Sequence, residues 1–124
     1  MKDESLSHLH DILQAAGAIR NFVDGRSFED YLSNDQLRSA VERKFEIMGE
    51  ALNRIRRDDP DLLEHIRECR EIISFRNILV HGYDAIDDQV VWDVIEADLD
   101  ALVQDVQSIL GDNHDRTAPS TPAI

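Results

Sequence analysis

The chain has 124 residues, with 26 acidic and 13 basic side chains and a formal net charge of −13, and this length fits one domain with one core. The acidic balance argues against a protein that binds nucleic acid or a membrane surface through net positive charge, and no apolar run approaches the roughly 20 residues of a membrane-spanning helix. A single cysteine, Cys69, excludes an intrachain disulfide and a cysteine-rich zinc site, and with the polar N-terminus, which is unlike a secretory signal, it predicts a cytoplasmic protein.

The first predicted element is a helix over about residues 4–24. Apolar residues recur there at three- and four-residue steps, which places them on one helical face. We expect Ser5 or Ser7 to cap its N-terminus. Gly25 follows the last apolar residue and should end the helix in the left-handed conformation.

A short turn or one-turn helix over 27–33 precedes a long helix over about 35–57. The side chains of the short segment that should point inward are Phe28, Tyr31 and Leu32. Asn34 or Asp35 should cap the long helix. Its predicted apolar stripe consists of Leu37, Val41, Phe45, Met48, Leu52 and Ile55.

The chain from Pro60 to about His81 is also helical in pattern. Pro60 suits the first position of a helix, and it ends the preceding one because the residue before a proline leaves the helical region. The apolar pattern fits either one helix or two helices that join near Glu68 and Cys69. Gly82 is the natural stop.

The last predicted helix runs over about 88–110. Asp87 should be its N-cap, with Ile86 placed for a hydrophobic staple, and Gly111 should close it. The remaining residues, 112–124, show no apolar periodicity and should form a disordered tail.

These elements predict a helical domain over 1–111 with an all-α fold, an antiparallel bundle of four to five helices. Gly49 interrupts the long helix at a cost of about 1 kcal/mol relative to alanine, which indicates a close helix crossing. Glu46 and Glu50 lie one turn apart there. They fit salt bridges to Arg43, Lys44 or Arg54 better than a metal site.

Most of the histidines fit ordinary surface or half-buried positions. His8 and His10 are two residues apart and face different sides of a helix, so they are badly placed to share a metal ion. His65 and His114 lack neighbours of ligand type. Cys69 has no evident base partner and suits an apolar filler, and Trp92 suits a core or interface position.

The segment around His81 differs, because a cation, an amide, an imidazole and a phenol fall within eight residues. They are Arg76, Asn77, His81 and Tyr83. On an ideal helix, positions 76 and 81 are about 140° apart in azimuth, so these side chains would meet only at a frayed helix end or with a second copy of the chain. A helix C-terminus, where cations meet the negative end of the helix dipole, is the alternative interpretation.

The same segment resembles the signature of the HEPN superfamily and of its HepT-like toxin branch. The signature has Arg, four residues, His, one residue and Tyr, with Asn directly after the Arg. Further similar stretches are Asp11-Ile12-Leu13, Ala40-Val41-Glu42-Arg43, Glu46-Ile47-Met48-Gly49-Glu50-Ala51 and Val91-Trp92. Relatives often open the motif helix with Pro-Trp, where this chain reads Arg67-Glu68-Cys69-Arg70.

The resemblance implies an all-helical homodimer that cleaves RNA (tRNA or mRNA) without a metal ion or other cofactor. Arg76 and His81 of both chains would line a cleft at the dimer interface, and Asn77 would orient the phosphate or the histidine. Histidine titrates near neutrality and can move the proton of the RNA 2′-OH. Arginine can clamp the phosphate with paired donors.

Tyr83 has a separate role by the same resemblance. A partner nucleotidyltransferase, the antitoxin, would attach AMP units to its hydroxyl and silence the toxin. Each AMP adds negative charge and bulk beside the RNA cleft. The alternative is a tyrosine that packs its ring at the helix end with its hydroxyl bonded nearby.

The leading prediction is therefore the endoribonuclease of a type VII-like toxin–antitoxin pair. The alternatives are a non-catalytic helical dimer that binds a nucleotidyltransferase or a nucleotide, and an antitoxin. Net charge is −4 over residues 1–37, zero over 38–76 and −9 over 77–124. Any RNA should thus enter by the arginine-bearing face and avoid the acidic last helix.

Overall fold

The computed structural model describes residues 1–81 and 86–117, with the side chains of His81 and of residues 112–117 left out of the description. All regular structure in these ranges is helical, which confirms the predicted all-α class. The helices are α1 (Asp3–Val23), α2 (Phe28–Ser33), α3 (Asp35–Asp58), α4 (Pro60–Leu63), α5 (Cys69–His81), α6 (Asp88–Asp93) and α7 (Leu99–Thr117), and a π-helical turn (Val94–Asp98) joins α6 to α7. None of the described helices is both long enough and apolar enough to span a membrane.

The start of α1 differs from the prediction. Lys2 is the N-cap residue, and its side chain makes no capping bond. Ser5 instead lies buried, and its hydroxyl donates to Asp59 Oδ2 at 3.1 Å. The prediction that Ser5 or Ser7 caps α1 is therefore wrong. Gly25 has φ 72°, as predicted for the residue that ends this helix.

The N-caps of α2 and α3 are formed by residues next to each helix start and can be recognised from the sequence. Ser27 and Asp30 form a reciprocal capping box at α2, and Asn34 accepts a bond from the Leu37 amide at 3.0 Å. Within α2, Tyr31 is fully buried as predicted, but Leu32 is 44% exposed and does not point inward. A six-residue helix buries one face only, and Tyr31 occupies it.

The predicted third helical segment is two helices, α4 and α5. Pro60 is the first residue of α4, as expected. Glu68, just before α5, has φ 66°, a left-handed conformation that breaks the helical path. The neighbouring Arg67 donates from its amide and guanidinium to Asp105 of α7 at 2.8–3.0 Å. This contact between distant segments supports the turn at Glu68, which local sequence does not specify.

The last helical segment begins as predicted and ends later. Asp87 accepts from the amides of Gln89 and Val90, and Ile86 is half-buried against the core. Gly111 does not close the helix, because α7 continues to Thr117. Helical glycine is tolerated where nothing stops the hydrogen-bond ladder, so the predicted stop is wrong. The other predicted stop, Gly82, and tail residues 118–124 lie outside the described residues.

Helix α3 is the centre of the bundle, with α1 and α5 packed against it and α7 packed against α1. Ser5 near the start of α1 contacts Asp59 just past the end of α3, and Arg20 near the end of α1 pairs with Asp100 near the start of α7. Both contacts indicate antiparallel neighbours, as predicted. The fully buried side chains of largest volume are Tyr31, Phe45, Leu9, Ile12, Ile19, Met48, Leu52, Ile55, Ile72, Leu99, Leu102 and Val41.

Candidate functional site

Arg76 lies where α5 crosses α3 at Gly49. A β-carbon on Gly49 would lie 2.9 Å from the Ile72 carbonyl oxygen and 3.1 Å from Arg76 Cγ. Only a glycine lets the two helices approach this closely. The crossing predicted from Gly49 is confirmed, and it fixes the base of the Arg76 side chain against the bundle.

The Arg76 guanidinium is held at both of its terminal nitrogens. Nη2 lies 2.6 Å from Glu50 Oε2, and Nη1 donates to Asn77 Oδ1 at 3.1 Å. The side chain is 23% exposed, and Nε is buried with no hydrogen-bond partner among the described groups. The described contact of Asn77 is thus with the arginine. A guanidinium fixed in this way is pre-oriented for an anion that approaches its exposed edge.

Glu46 and Glu50 of α3 are paired with arginines, as predicted. Arg43 Nη1 lies 2.6 Å from Glu46 Oε1, and Arg54 Nε donates to Glu50 Oε1 at 3.2 Å. Because Arg76 binds the other oxygen, the Glu50 carboxylate bridges two guanidiniums. Within residues 1–81 and 86–117, no group of three His, Cys, Asp or Glu side chains is placed to hold a metal ion.

These side chains line an open cleft of about 330 Å³. Its lining consists of His8, Asp11, Arg43, Glu46, Ile47, Glu50, Ala51, Arg54, Arg76 and Val80. Sequence reasoning missed His8 and Asp11 as neighbours of Arg76, because only the packing of α1 against α3 brings them there. The cleft is lined by both acidic and basic side chains. The positive charge expected from the arginines of 38–76 is therefore confined to the Arg54–Glu50–Arg76 group.

His81 is the last residue of α5, so the helix is continuous from Arg76 to His81. The helical register therefore keeps positions 76 and 81 about 140° apart around the axis. Tyr83 lies outside the described residues. Val80, one turn after Arg76 on α5, is 48% exposed.

Cys69 and Trp92 take the structural positions predicted for them. The Cys69 thiol is buried and donates to the Ile66 carbonyl at 3.0 Å. Burial raises its pKa to about 12, so the nucleophilic thiolate is disfavoured. Trp92 is buried, with ring centroids 5.4 Å from Tyr31 and 6.1 Å from Phe28. Neither residue belongs to the cleft.

Comparison with known proteins identifies the family. Residues 12–109 match the HepT-like family, described as "Ribonuclease HepT-like". The chain is 34% identical over 102 residues to a protein of Thermococcus cleftensis named "Probable ribonuclease HepT", covering 82% of this chain and 92% of the relative. It is 29% identical over 108 residues to "Putative RNase MJ1380" of Methanocaldococcus jannaschii, covering 87% and 98%.

No solved structure matches the chain at a comparable level. The matched range includes the whole of α3 and α5, and with them Gly49, Glu50, Arg76 and His81. The matches cover 98% and 92% of the length of these two relatives, so the likeness extends over most of the helical bundle. The chain belongs to the HepT-like ribonuclease family.

Proposed function

We propose that the protein is the endoribonuclease toxin of a toxin–antitoxin pair, with RNA cleaved by Arg76 and His81 without a metal ion. The observation that carries the proposal is the Arg76 guanidinium, clamped between Glu50 and Asn77 at the wall of an open cleft. The family supplies the ribonuclease class. The proposed substrate is tRNA or mRNA, and sequencing of the cleavage products distinguishes the two. The proposed site of action is the cytoplasm.

The proposed chemistry needs only protein side chains and the RNA. The 2′-OH oxygen attacks the adjacent phosphorus and loses its proton, and the bond from phosphorus to the 5′-oxygen breaks as that oxygen gains a proton. His81 can take or supply a proton, because imidazole titrates near neutrality. Arg76 can bind the non-bridging oxygens, where negative charge builds up in the transition state. Asn77 is proposed to hold the guanidinium in the orientation that this step requires.

A homodimer is proposed as the active form. Arg76 and His81 lie on one continuous helix but on different sides of it, so one copy of α5 does not direct both at a single phosphate. A second copy can supply the missing group. The exposed Val80 beside Arg76 supports a contact there. Val80→Asp should shift the mass measured by light scattering from dimer to monomer and lower RNA cleavage.

Tyr83 is proposed as the AMP acceptor through which a partner nucleotidyltransferase, the antitoxin, neutralises the protein. Its position two residues after His81 supports the proposal, because AMP there adds a negative phosphate next to the catalytic imidazole. Intact mass after incubation with the partner and ATP should rise in AMP increments. The same increments in Tyr83→Phe would exclude this acceptor.

The deciding experiment compares cleavage of total cellular RNA by the wild type, Arg76→Ala and His81→Ala, each in the presence of EDTA. Arg57→Ala is the matched control, because it removes a guanidinium that pairs with Asp58 elsewhere on α3. We expect cleavage by the wild type and the control only. Absent cleavage by unmodified wild type would favour the alternative, a non-catalytic dimer that binds a nucleotidyltransferase or a nucleotide.

A further inference from the structure

A single carboxylate joins two arginines in the cleft. Glu50 Oε2 lies 2.6 Å from Arg76 Nη2 on α5, and Glu50 Oε1 accepts from Arg54 Nε on α3 at 3.2 Å. The group therefore has two positive charges and one negative charge. It retains one net positive charge in a cleft whose other arginine, Arg43, is matched one to one by Glu46.

The two guanidiniums differ in exposure and in the number of contacts that hold them. Arg76 is 23% exposed and is fixed from three sides by Glu50, Asn77 and the Gly49 crossing. Arg54 is 51% exposed and is tied to the group by one bond from Nε. That bond uses Nε, and the terminal nitrogens of Arg54 make no hydrogen bond among the described groups, so the pair can bind a phosphate end-on.

We propose that Arg54 and Arg76 form a paired phosphate-binding unit of the RNA cleft and that Glu50 is the positioning residue that holds them together. The inference rests on the proposed nuclease function, and it assigns a second backbone phosphate to Arg54. Glu50 holds the Arg54 and Arg76 guanidiniums close together although they repel each other. Without Glu50, the bound phosphate itself would have to bring the two guanidiniums together at each binding event.

Asp11 is the opposing charge in this arrangement. It lines the same cleft from α1 and is exposed. A carboxylate there repels a phosphate backbone, so its removal should strengthen RNA binding. A purely structural ion pair between α3 and α5 would not respond to this change, which separates the proposal from the simplest alternative.

Binding is measured with a fluorescein-labelled single-stranded RNA of mixed sequence, in a His81→Ala background that keeps the RNA intact. We expect Arg54→Ala to weaken binding about tenfold and to lower the slope of log affinity against log salt by about 0.7, the value for one phosphate contact on a single strand. The control, Arg57→Ala, removes the same charge from the same helix outside the cleft. Equal affinities and slopes for Arg54→Ala and Arg57→Ala would overturn the proposal.

The positioning role is tested by Glu50→Gln with Glu46→Gln as its control, one turn away on the same helix. Glu50→Gln should weaken RNA binding several-fold and raise KM for cleavage. It should cause no further weakening once Arg54 and Arg76 are both alanine, whereas Glu46→Gln removes a cleft carboxylate that pairs with Arg43 alone and should tighten binding. Asp11→Asn should tighten binding. A Glu50→Gln variant that lowers only the melting temperature would show a structural pair and overturn the assignment.

Different outcomes would contradict the nuclease function and the arginine pair. If wild type does not cleave RNA, the nuclease proposal fails, and the binding measurements still report on the arginine pair. If wild type cleaves, Arg76→Ala does not, and Arg54→Ala behaves as Arg57→Ala, then the nuclease proposal stands and the paired unit is wrong.

Discussion

Gly49 and Arg76 contact each other across the crossing of α3 and α5, and the absence of a side chain at Gly49 is what allows it. A β-carbon there would collide with Arg76 Cβ and lie 2.9 Å from the Ile72 carbonyl oxygen. The backbone oxygen cannot rotate away, so any substitution must move α5. The glycine therefore controls the position of the arginine on which the proposed chemistry depends.

Gly49→Ala is expected to destabilise the protein by about 1–3 kcal/mol through overpacking, despite the better helix propensity of alanine. The RNA cleavage rate should fall by more than the loss of folded protein explains, because a displacement of about 1 Å at a reacting group can lower the rate roughly 100-fold. Urea denaturation and RNA cleavage rates measure the two effects. Gly17→Ala is the control: nothing lies within 4 Å of its new β-carbon, so it should gain up to about 1 kcal/mol. Equal stability of the two variants would contradict the close crossing.

Tyr31→Phe is expected to leave stability unchanged or to raise it by up to about 1 kcal/mol. The Tyr31 hydroxyl is buried without a hydrogen-bond partner among the described groups, and an unsatisfied buried polar group costs free energy. The same environment raises the pKa of the phenol, chiefly through burial. Tyr31→Ala should lose about 3–5 kcal/mol. A loss above 1 kcal/mol in Tyr31→Phe, by urea denaturation, would mean that the hydroxyl binds an internal water.

Asp105→Asn should make the free energy of unfolding depend less on pH in the acid range. The Arg67 guanidinium and amide hold the pKa of Asp105 below its usual value of 3.8. The carboxylate therefore contributes stability above about pH 4, and this contribution is lost as pH falls through that range. We expect the free energy of unfolding of the wild type to exceed that of the variant by about 1 kcal/mol at pH 7, discounted for the exposure of Arg67. This difference should shrink as pH falls below about 4.

The matched control for Asp105→Asn is Asp100→Asn on the same helix. Asp100 pairs with Arg20, but its side chain is 70% exposed, compared with 17% for Asp105. A pair so open to solvent contributes less than about 0.5 kcal/mol. Thermal unfolding of both variants between pH 3 and 7 gives the comparison. Parallel pH profiles for the two would refute a special role for the Arg67–Asp105 contact.

The helices were predictable because their signals are local. Apolar spacing defined the buried stripe of α3, and short-range caps at Asn34 and Asp87 set two N-termini. Features set by contacts between distant segments were not predictable in this way. Ser5 turned from a cap into a buried partner of Asp59, and Glu68 took a left-handed conformation beside a contact with Asp105.

In the candidate site too, features set by local sequence were predicted, and features set by contacts between distant segments were not. Gly49 and the glutamates next to it were interpreted correctly, because a helical glycine and an i,i+4 charge pair each have one dominant physical explanation. The second bond of Glu50, to Arg76, joins residues 26 positions apart in sequence and depends on how α5 lies on α3. His8 reaches the cleft through the packing of α1 against α3, which is likewise a contact between distant segments.

The π-helical turn Val94–Asp98 fixes how the two ends of the last helical segment face the bundle. It accommodates one more residue than an α-helical turn. If this stretch were wound as an ordinary α-helix, everything beyond it would rotate by about 100°, and Leu102 and Val106 would leave the core. The turn is consequently the place in this segment where the chain can lose one residue while Trp92 on one side and Leu102 on the other keep their neighbours.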